Sequence, residues 1–416
     1  MNIFLEPTKA LYPRLLIFVG LVTALGPVST DMYLPGFPAI SAEFAVSRSL
    51  VQYTVTAFLA GIVIGQLLYG PISDRIGRKQ PLCVGIGIYI IASIGCVLAD
   101  GVWTLIAWRF VQGVGGCAGL VIGRAMVRDR FGATGSAKAF SLLMLVVAVA
   151  PMIAPLIGGW ITGFGWRAIF VILALFGVLL FVGAVYMVDE TLPSGQKNRP
   201  QASTTLGQYR LLLKSRQLLS YTVVSGLMQS ALYAYVVCAP FVLMEVYGID
   251  PQYFGMVFFA NTAGLIVASQ INAAIVERFE PDRILGIALL WPTGLSIVLI
   301  ASLFLGLSSV YAVLAVLFGF LVGHGFISPN AAALGLSKHG TQAGTASAIM
   351  GAIQNGLGIV TIFMASFLEA TSALSLALVM GGCSCLAIAC HRLVARPALN
   401  SRDLGLQPPE VDVTHA

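Results

Sequence analysis

Charge is what this chain has least of. Only 10% of its 416 residues are Asp, Glu, Lys or Arg, against about 25% in a soluble domain. That excludes an ordinary globular enzyme or adaptor, whose surface needs charge to stay in water. Histidine is scarce too, with four residues, and the seven cysteines all fall in apolar runs. Cys383-Ser384-Cys385 is not a CxxC, and no His stands at finger spacing from a Cys. No metal site and no cofactor are therefore expected. No His-x-x-x-His and no paired intramembrane carboxylates occur, so the chain is not read as an enzyme. The net charge of +6 is spread over short loops rather than clustered, which argues against nucleic acid as a partner.

What the chain has instead is hydrophobic length: 58% hydrophobic residues and a mean hydropathy of +0.92. Apolar runs long enough to cross a bilayer recur near 13–37, 50–72, 79–99, 103–125, 136–161, 166–187, 218–245, 253–276, 283–306, 309–334, 343–367 and 371–391. The first begins after Lys9 and Arg14, as a signal peptide would. It continues past signal length without a small-x-small cleavage site, so it reads as a retained helix.

Twelve is an even number, so both termini share a side. The basic residues test that register. Of the 23 Lys and Arg, Arg109 lies inside a run, and Arg48 and Arg167 fall in one set of loops; all the others fall in the opposite set. By the positive-inside rule that opposite set, with both termini, is cytoplasmic.

The longest loop divides the chain into two sets of six helices. We expect an N-terminal bundle over 1–187, a cytoplasmic loop over 188–217 with a surface helix in it, a C-terminal bundle over 218–393, and a disordered tail over 394–416. The halves echo each other weakly. Asp74-Arg75 stands between the second and third runs and Asp282-Arg283 between the eighth and ninth, which suggests duplication of a six-helix unit.

Two charges interrupt the runs where charge is costly. Asp31 lies about seven residues inside the first run, roughly 10 Å below the surface at 1.5 Å per residue. A carboxylate there costs on the order of 2.5–3.5 kcal/mol and needs a partner, a proton or water. Arg109 lies at a similar depth in the fourth run. The second half is poor in charge inside its runs. Its polar groups include Gln229, Tyr233, Tyr235, His324 and Asn355. His324 is a candidate proton site, set against the plainer role of a hydrogen-bonded packing residue. Tyr233, Tyr235, Phe258 and Phe259 are candidates for an aromatic wall, though Tyr233 and Tyr235, two apart on a helix, are not expected to share one face.

Gly70-Pro71-Ile72-Ser73-Asp74-Arg75-Ile76-Gly77-Arg78-Lys79 resembles the signature G-x-L-[SA]-D-R-x-G-R-[KR] of the major facilitator superfamily, in the right loop. The resemblance covers nearly the whole chain. It implies an all-α membrane fold of two pseudo-symmetric six-helix bundles. It makes Gly70, Asp74, Arg75, Gly77, Arg78 and Lys79 a latch that breaks when the cytoplasmic side opens. Gly70 is expected to allow close helix approach, and Asp74 to face a helix end. The alternative is a purely topological basic loop.

Arg109-Phe110-Val111-Gln112-Gly113 resembles the family's R-x-x-Q-G motif. Helices 1, 4, 7 and 10 line the cavity in this superfamily, which implies an Asp31–Arg109 pair that couples proton movement; a purely structural pair is the alternative. Ala154-Pro155-Leu156-Ile157-Gly158-Gly159 resembles the antiporter motif of exporters, with Ser141, Ala150 and Ala154 where glycines are usual. Generic close packing is its alternative. Asp31-Met32-Tyr33-Leu34-Pro35 and Arg124 to Asp129 resemble the Bcr/CflA branch of drug:proton antiporters.

The resemblance implies a proton-coupled antiporter of the bacterial inner membrane. It would export small amphipathic drugs or toxic metabolites by alternating access, as a monomer in the lipid bilayer whose other partners are substrate and protons. Asp31 and Arg109 would couple protons; Tyr33, Gln112, Gln229, Tyr233 and His324 would face the substrate. The alternative is a proton-coupled importer or exporter of one small metabolite, such as an amino acid, peptide or sugar.

Overall fold

The structure is a computed structural model that describes residues 11–191, 210–306, 309–338, 343–367 and 372–397. Twelve helical segments among them are long and apolar enough to cross a membrane. In chain order they are α1 (Leu11–Asp31), α2 (Arg48–Ile76), α3 (Lys79–Val97), α4 (Val102–Val127), α5 (Val146–Phe164), α6 (Arg167–Met187), α7 (Arg216–Pro240), α8 (Pro251–Ile275), α9 (Pro281–Phe304), α10 (Val310–Leu336), α11 (Ala343–Phe367) and α12 (Ala373–Cys390). The number matches the twelve runs read from sequence.

Local chemistry sets many of the starts. Ser47, Ser215, Ser309 and Ser372 cap α2, α7, α10 and α12, each hydroxyl accepting a first-turn backbone N–H. Pro251 and Pro281 open α8 and α9, where a missing N–H costs nothing.

Two helices break where they approach the same end of the molecule. α1 stops at Asp31; a 3₁₀ turn, Leu34–Gly36, and a short helix, Phe37–Glu43, complete that span. Pro35 and Pro38 supply no N–H to continue α1. α7 reaches Pro240 and relaxes into a π turn, Phe241–Val246. Irregular backbone at membrane depth is tolerated where protein or a cavity surrounds it.

Helical turns continue from Val102 to Ile161, and the chain bends back within them, leaving α4 and α5 antiparallel. Gly119 and Gly123 pack at the level of Val22 and Thr23, Val146 returns to the level of Gly20, and Gly158 reaches Met32. The chain therefore reverses between α4 and α5. The side chains of residues 131–145, Ser141 among them, lie outside the described set.

α1 to α6 pack on one another, as do α7 to α12, and the two groups meet chiefly through α2 against α11 and α5 against α8. Glycine sets the closest contacts. A Cβ at Gly113 would overlap the Phe58 carbonyl, and one at Gly119 the Val22 carbonyl, so α4 lies backbone to backbone against α2 and α1. Before α7, residues 210–212 form one helical turn, and Leu212 is buried in a cluster with Leu218, Ala346, Ile349 and Met350. That turn is pinned to α11 rather than lying free on the surface. Most of the expected central loop and tail lies outside the described residues.

Candidate functional site

Between the two groups of helices lies a cavity of about 570 Å³. Asp31, the last residue of α1, points into it and is 8% exposed. Among the described residues lining this cavity it is the one with a formal charge; no Lys or Arg faces it. The opposite wall is aromatic and amide-rich. Gln229, Leu232, Tyr233 and Val236 fall at helical spacing along α7. The Tyr233 hydroxyl donates to Asn355 Oδ1 at 2.9 Å. His324 on α10 also faces the cavity, and its Nδ1 has no hydrogen-bond partner among the described residues.

Gln229, Tyr233 and His324 thus come together around Asp31. Tyr235 joins them, contrary to the expectation that two residues so spaced cannot share a site. The cavity extends between α7 and α8, and Tyr235 enters from that side. Its ring stacks on Phe258 at 5.2 Å, and Asn261 Nδ2 donates to its hydroxyl at 2.8 Å. Phe259 is not among the lining residues.

Arg109 is elsewhere. It is fully buried inside the first group of helices and does not line the cavity. Its guanidinium lies 4.3 Å from the Phe58 ring centre and 4.7 Å from that of Tyr33, with Phe170 at 5.7 Å. Nη1 donates to the Ser29 carbonyl at 3.2 Å and to Gln112 Oε1 at 2.6 Å, while Nε and Nη2 have no partner among the described residues. Gln112 Nε2 donates in turn to Ser93 Oγ at 2.8 Å, and Ser29 Oγ bonds the Tyr89 hydroxyl at 2.6 Å.

Three expectations need correction here. No ion pair joins Asp31 and Arg109; Arg109 instead holds the backbone of α1 two residues before the acid. Tyr33 is not a cavity residue: the helix break after Asp31 turns it inward, where its hydroxyl bonds Thr54 at 3.1 Å. Gln112 is not one either, because it shares the inward face of α4 with Arg109 at i, i+3. The part of α4 that does line the cavity is Gly116, Cys117 and Leu120.

The loop between α2 and α3 is organised by Arg78. Its side chain is 3% exposed and donates to Asp129 at 2.8 Å, Ser73 at 2.8 Å and Asp74 at 2.5 Å. Burial works against its charge, but Asp129 and Asp74 outweigh that and raise its pKa. The Arg78 backbone N–H donates to Glu190 at 2.8 Å, and Lys79 donates to the Val185 carbonyl at 2.8 Å. Gly77 turns the chain at φ +110°, and a Cβ there would overlap the Glu190 carboxylate. Asp74 pairs with Arg78 and not with a helix end. Gly70 brings no helices together, since a Cβ there would meet nothing within 4 Å. Arg75 is exposed. In the second half Asp282 takes the Tyr221 hydroxyl and His391 Nε2, both at 2.9 Å, and Arg396 at 3.6 Å; its sequence neighbour Arg283 is not its partner.

At the far end the two groups are locked together. Arg48 pairs with Glu245 and lies over Phe241, which also packs on Phe37. Tyr53 stacks on Phe363 at 5.9 Å. The α5 motif serves two contacts. Gly158 packs on the Met32 carbonyl just beyond Asp31, whereas Gly159 packs on Pro251 of α8 in the other group. Gly255 of α8 returns the contact at Pro155, where a Cβ would come 2.8 Å from the carbonyl; Ala154 is buried at 3% exposure.

Overpacking of about 1–3 kcal/mol at this second contact should shift the closed-to-open balance by roughly tenfold or more. Gly159→Leu is therefore expected to speed labelling of buried Cys238, which neighbours Gln52 at this end, by a water-soluble thiol reagent. Gly158→Leu should leave Cys238 protected. Equal labelling of both variants would show that the two glycines do not divide the contacts in this way.

A model of the Major Facilitator Superfamily matches residues 19–362. The chain is 35% identical over 374 residues to the protein named uncharacterized MFS-type transporter YdgK of Bacillus subtilis, covering 88% of this chain and 92% of that one. It is 30% identical over 391 residues to the bicyclomycin resistance protein homolog of Haemophilus influenzae, covering 93% and 97%. It is 30% identical over 347 residues to the multidrug resistance protein MdtL of Escherichia coli, covering 82% and 85%. Among solved structures, a bacterial homolog of the human lysosomal transporter Spinster, in an inward-facing, unoccupied conformation, superimposes with a TM-score of 0.76 at 16% identity, covering 97% of this chain and all of that one. That similarity speaks to the fold.

Proposed function

The chain belongs to the major facilitator superfamily, and from that premise we propose that it is a proton-coupled antiporter that expels small amphipathic drugs or toxic metabolites. It is a multi-pass transporter of the bacterial inner membrane. The relatives named for bicyclomycin and multidrug resistance support the direction and the substrate class.

The observation that carries the reading is the isolation of Asp31. Its carboxylate faces a cavity whose described lining supplies no counter-ion. Two visitors can neutralise it: a proton, or a substrate that is cationic or donates hydrogen bonds. They exclude each other, and that exclusion is the whole of an exchange mechanism. Arg109 acts as a positioning residue, tying the last turn of α1 to α4 through the Ser29 carbonyl. Tyr233, Tyr235 and Phe258 offer ring faces to an apolar or cationic drug.

The positive-inside rule makes the Arg78 end cytoplasmic and the Arg48–Glu245 end periplasmic. The described state is closed at the periplasmic end. In the cycle, residues 1–187 and 218–393 rock as two bodies, the Arg48–Glu245 pair parts, and Asp31 meets the periplasm and takes a proton. The return to the cytoplasmic-facing state releases it as drug enters.

Inverted membrane vesicles test the direction. Energised vesicles containing the chain should accumulate bicyclomycin or another transported drug, and a protonophore should discharge it. Drug uptake driven by an inward proton gradient in right-side-out vesicles would instead mark an importer.

A further inference from the structure

A second hollow lies on the outside of the molecule. It is a groove of about 750 Å³ formed by the end of α8, the first half of α9 and the middle of α10. It shares no residue with the central cavity. α10 separates the two: His324 and Gly325 face the cavity, and Val322, Gly323 and Phe326 face the groove. Phe279, Ile287 and Trp291 along its rim are all more than half exposed, so this face looks into hydrocarbon. The Trp291 ring is fixed by donation of its indole N–H to the Gly319 carbonyl at 2.9 Å. Gly323 leaves the floor open: a Cβ there would come within 3.0 Å of Trp291.

One charge faces this apolar trough. Arg283, in the first turn of α9, is exposed, and its side chain has no hydrogen-bond or ion-pair partner among the described residues. Asp282 beside it is turned inward and occupied by His391, Tyr221 and Arg396. Glu277, Arg278 and Glu280 are exposed in the connection before α9 and do not line the groove. From Arg283 to Trp291 is eight residues, about 12 Å of helix, close to the roughly 15 Å depth of one hydrocarbon leaflet. A free guanidinium at the membrane surface above an apolar trough one leaflet deep matches one kind of occupant.

We propose that this groove is a binding site for a single glycerophospholipid, its phosphate on Arg283 and one acyl chain along Ile284, Ile287 and Trp291. Arginine suits the task because its planar fork pairs two donors with a phosphate. Because α10 has its other face in the cavity, the lipid packs against the back of the helix that carries His324. The site stands whether or not the chain is an antiporter.

The test is native mass spectrometry of the full chain in detergent, titrated with phosphatidylglycerol and, separately, with diacylglycerol carrying the same chains. One phosphatidylglycerol should bind at least roughly tenfold more tightly than diacylglycerol, the margin expected for a charge-assisted pair. Arg283→Gln should reduce phosphatidylglycerol binding to the diacylglycerol level. Ala288→Phe, which fills the trough, should weaken both. Arg210→Gln, an exposed arginine elsewhere, should change neither, and thermal melting confirms that all variants fold. Unchanged binding in Arg283→Gln, or diacylglycerol binding as tightly as phosphatidylglycerol, overturns the proposal. So does displacement of the lipid by an amphipathic drug with no dependence on Arg283, which would assign the groove to drug.

Discussion

Asp31→Asn is expected to insert and fold like the parent and to lose uphill efflux altogether. An amide costs less to bury than a carboxylate, so stability should not fall. What disappears is the titrating group. Without it the substrate no longer competes with a proton, and the gradient has nothing to act on. Downhill exchange of a neutral drug should survive, while cationic drugs lose their counter-charge in the cavity and bind more weakly. Asp31→Glu should keep part of the activity, because the carboxyl remains, displaced by one methylene. The assay is drug accumulation in energised inverted vesicles at matched expression. Uphill accumulation by Asp31→Asn would mean that another group carries the proton, and His324, in the same cavity with an Nδ1 that has no partner among the described residues, would be the one to examine.

Arg109→Ala should be the most destabilising single change in the first six helices. The side chain fills space between Tyr33, Phe58 and Phe170 and holds the Ser29 and Gln112 oxygens. Its removal leaves a void and two buried acceptors short of a donor, a loss of about 3–5 kcal/mol by analogy with other large buried side chains. In thermal unfolding in detergent that should appear as a fall of at least about 5 °C. Arg109→Lys should fall between, since an ammonium keeps the charge but cannot stack between two rings. Arg75→Ala, at an exposed position in the same group, should melt like the parent. If Arg109→Ala also melted like the parent, the aromatic cage would not be holding α1, and the positioning role would fail.

The number of spans was legible because the bilayer fixes the length of an apolar run, and the sequence register that sorts 20 of the 23 basic residues into one set of loops supported the count internally. The loop between α2 and α3 was legible as a motif, though only partly in its contacts. Carboxylate partners were expected for the basic residues, and Arg78 has them in Asp74 and Asp129; the close approach expected at Gly70 and the helix end expected opposite Asp74 are not there, and Gly77 makes the turn. Those roles depend on Asp129 and Glu190, which arrive from distant parts of the chain and leave no local signal.

Depth was readable along each helix, and direction around the helix was not. Asp31 and Arg109 are at similar depths, yet they face different compartments. Each helical residue turns the side chain by about 100°, so an error of one residue in phase redirects it. For Tyr33 the break in α1 at Asp31 resets that phase. The α5 glycines show the same limit: adjacent in sequence, Gly158 and Gly159 serve contacts within one bundle and between the two.

In the proposed cycle one carboxylate, facing a cavity whose described lining holds no counter-ion, exchanges a proton for a drug. Proton release from the detergent-solubilised protein tests it most directly. On addition of a transported drug in weakly buffered solution, the parent should release protons in proportion to the drug bound, with a saturation curve matching drug affinity. Asp31→Asn should bind a neutral drug and release none. Equal proton release by parent and variant would contradict the account.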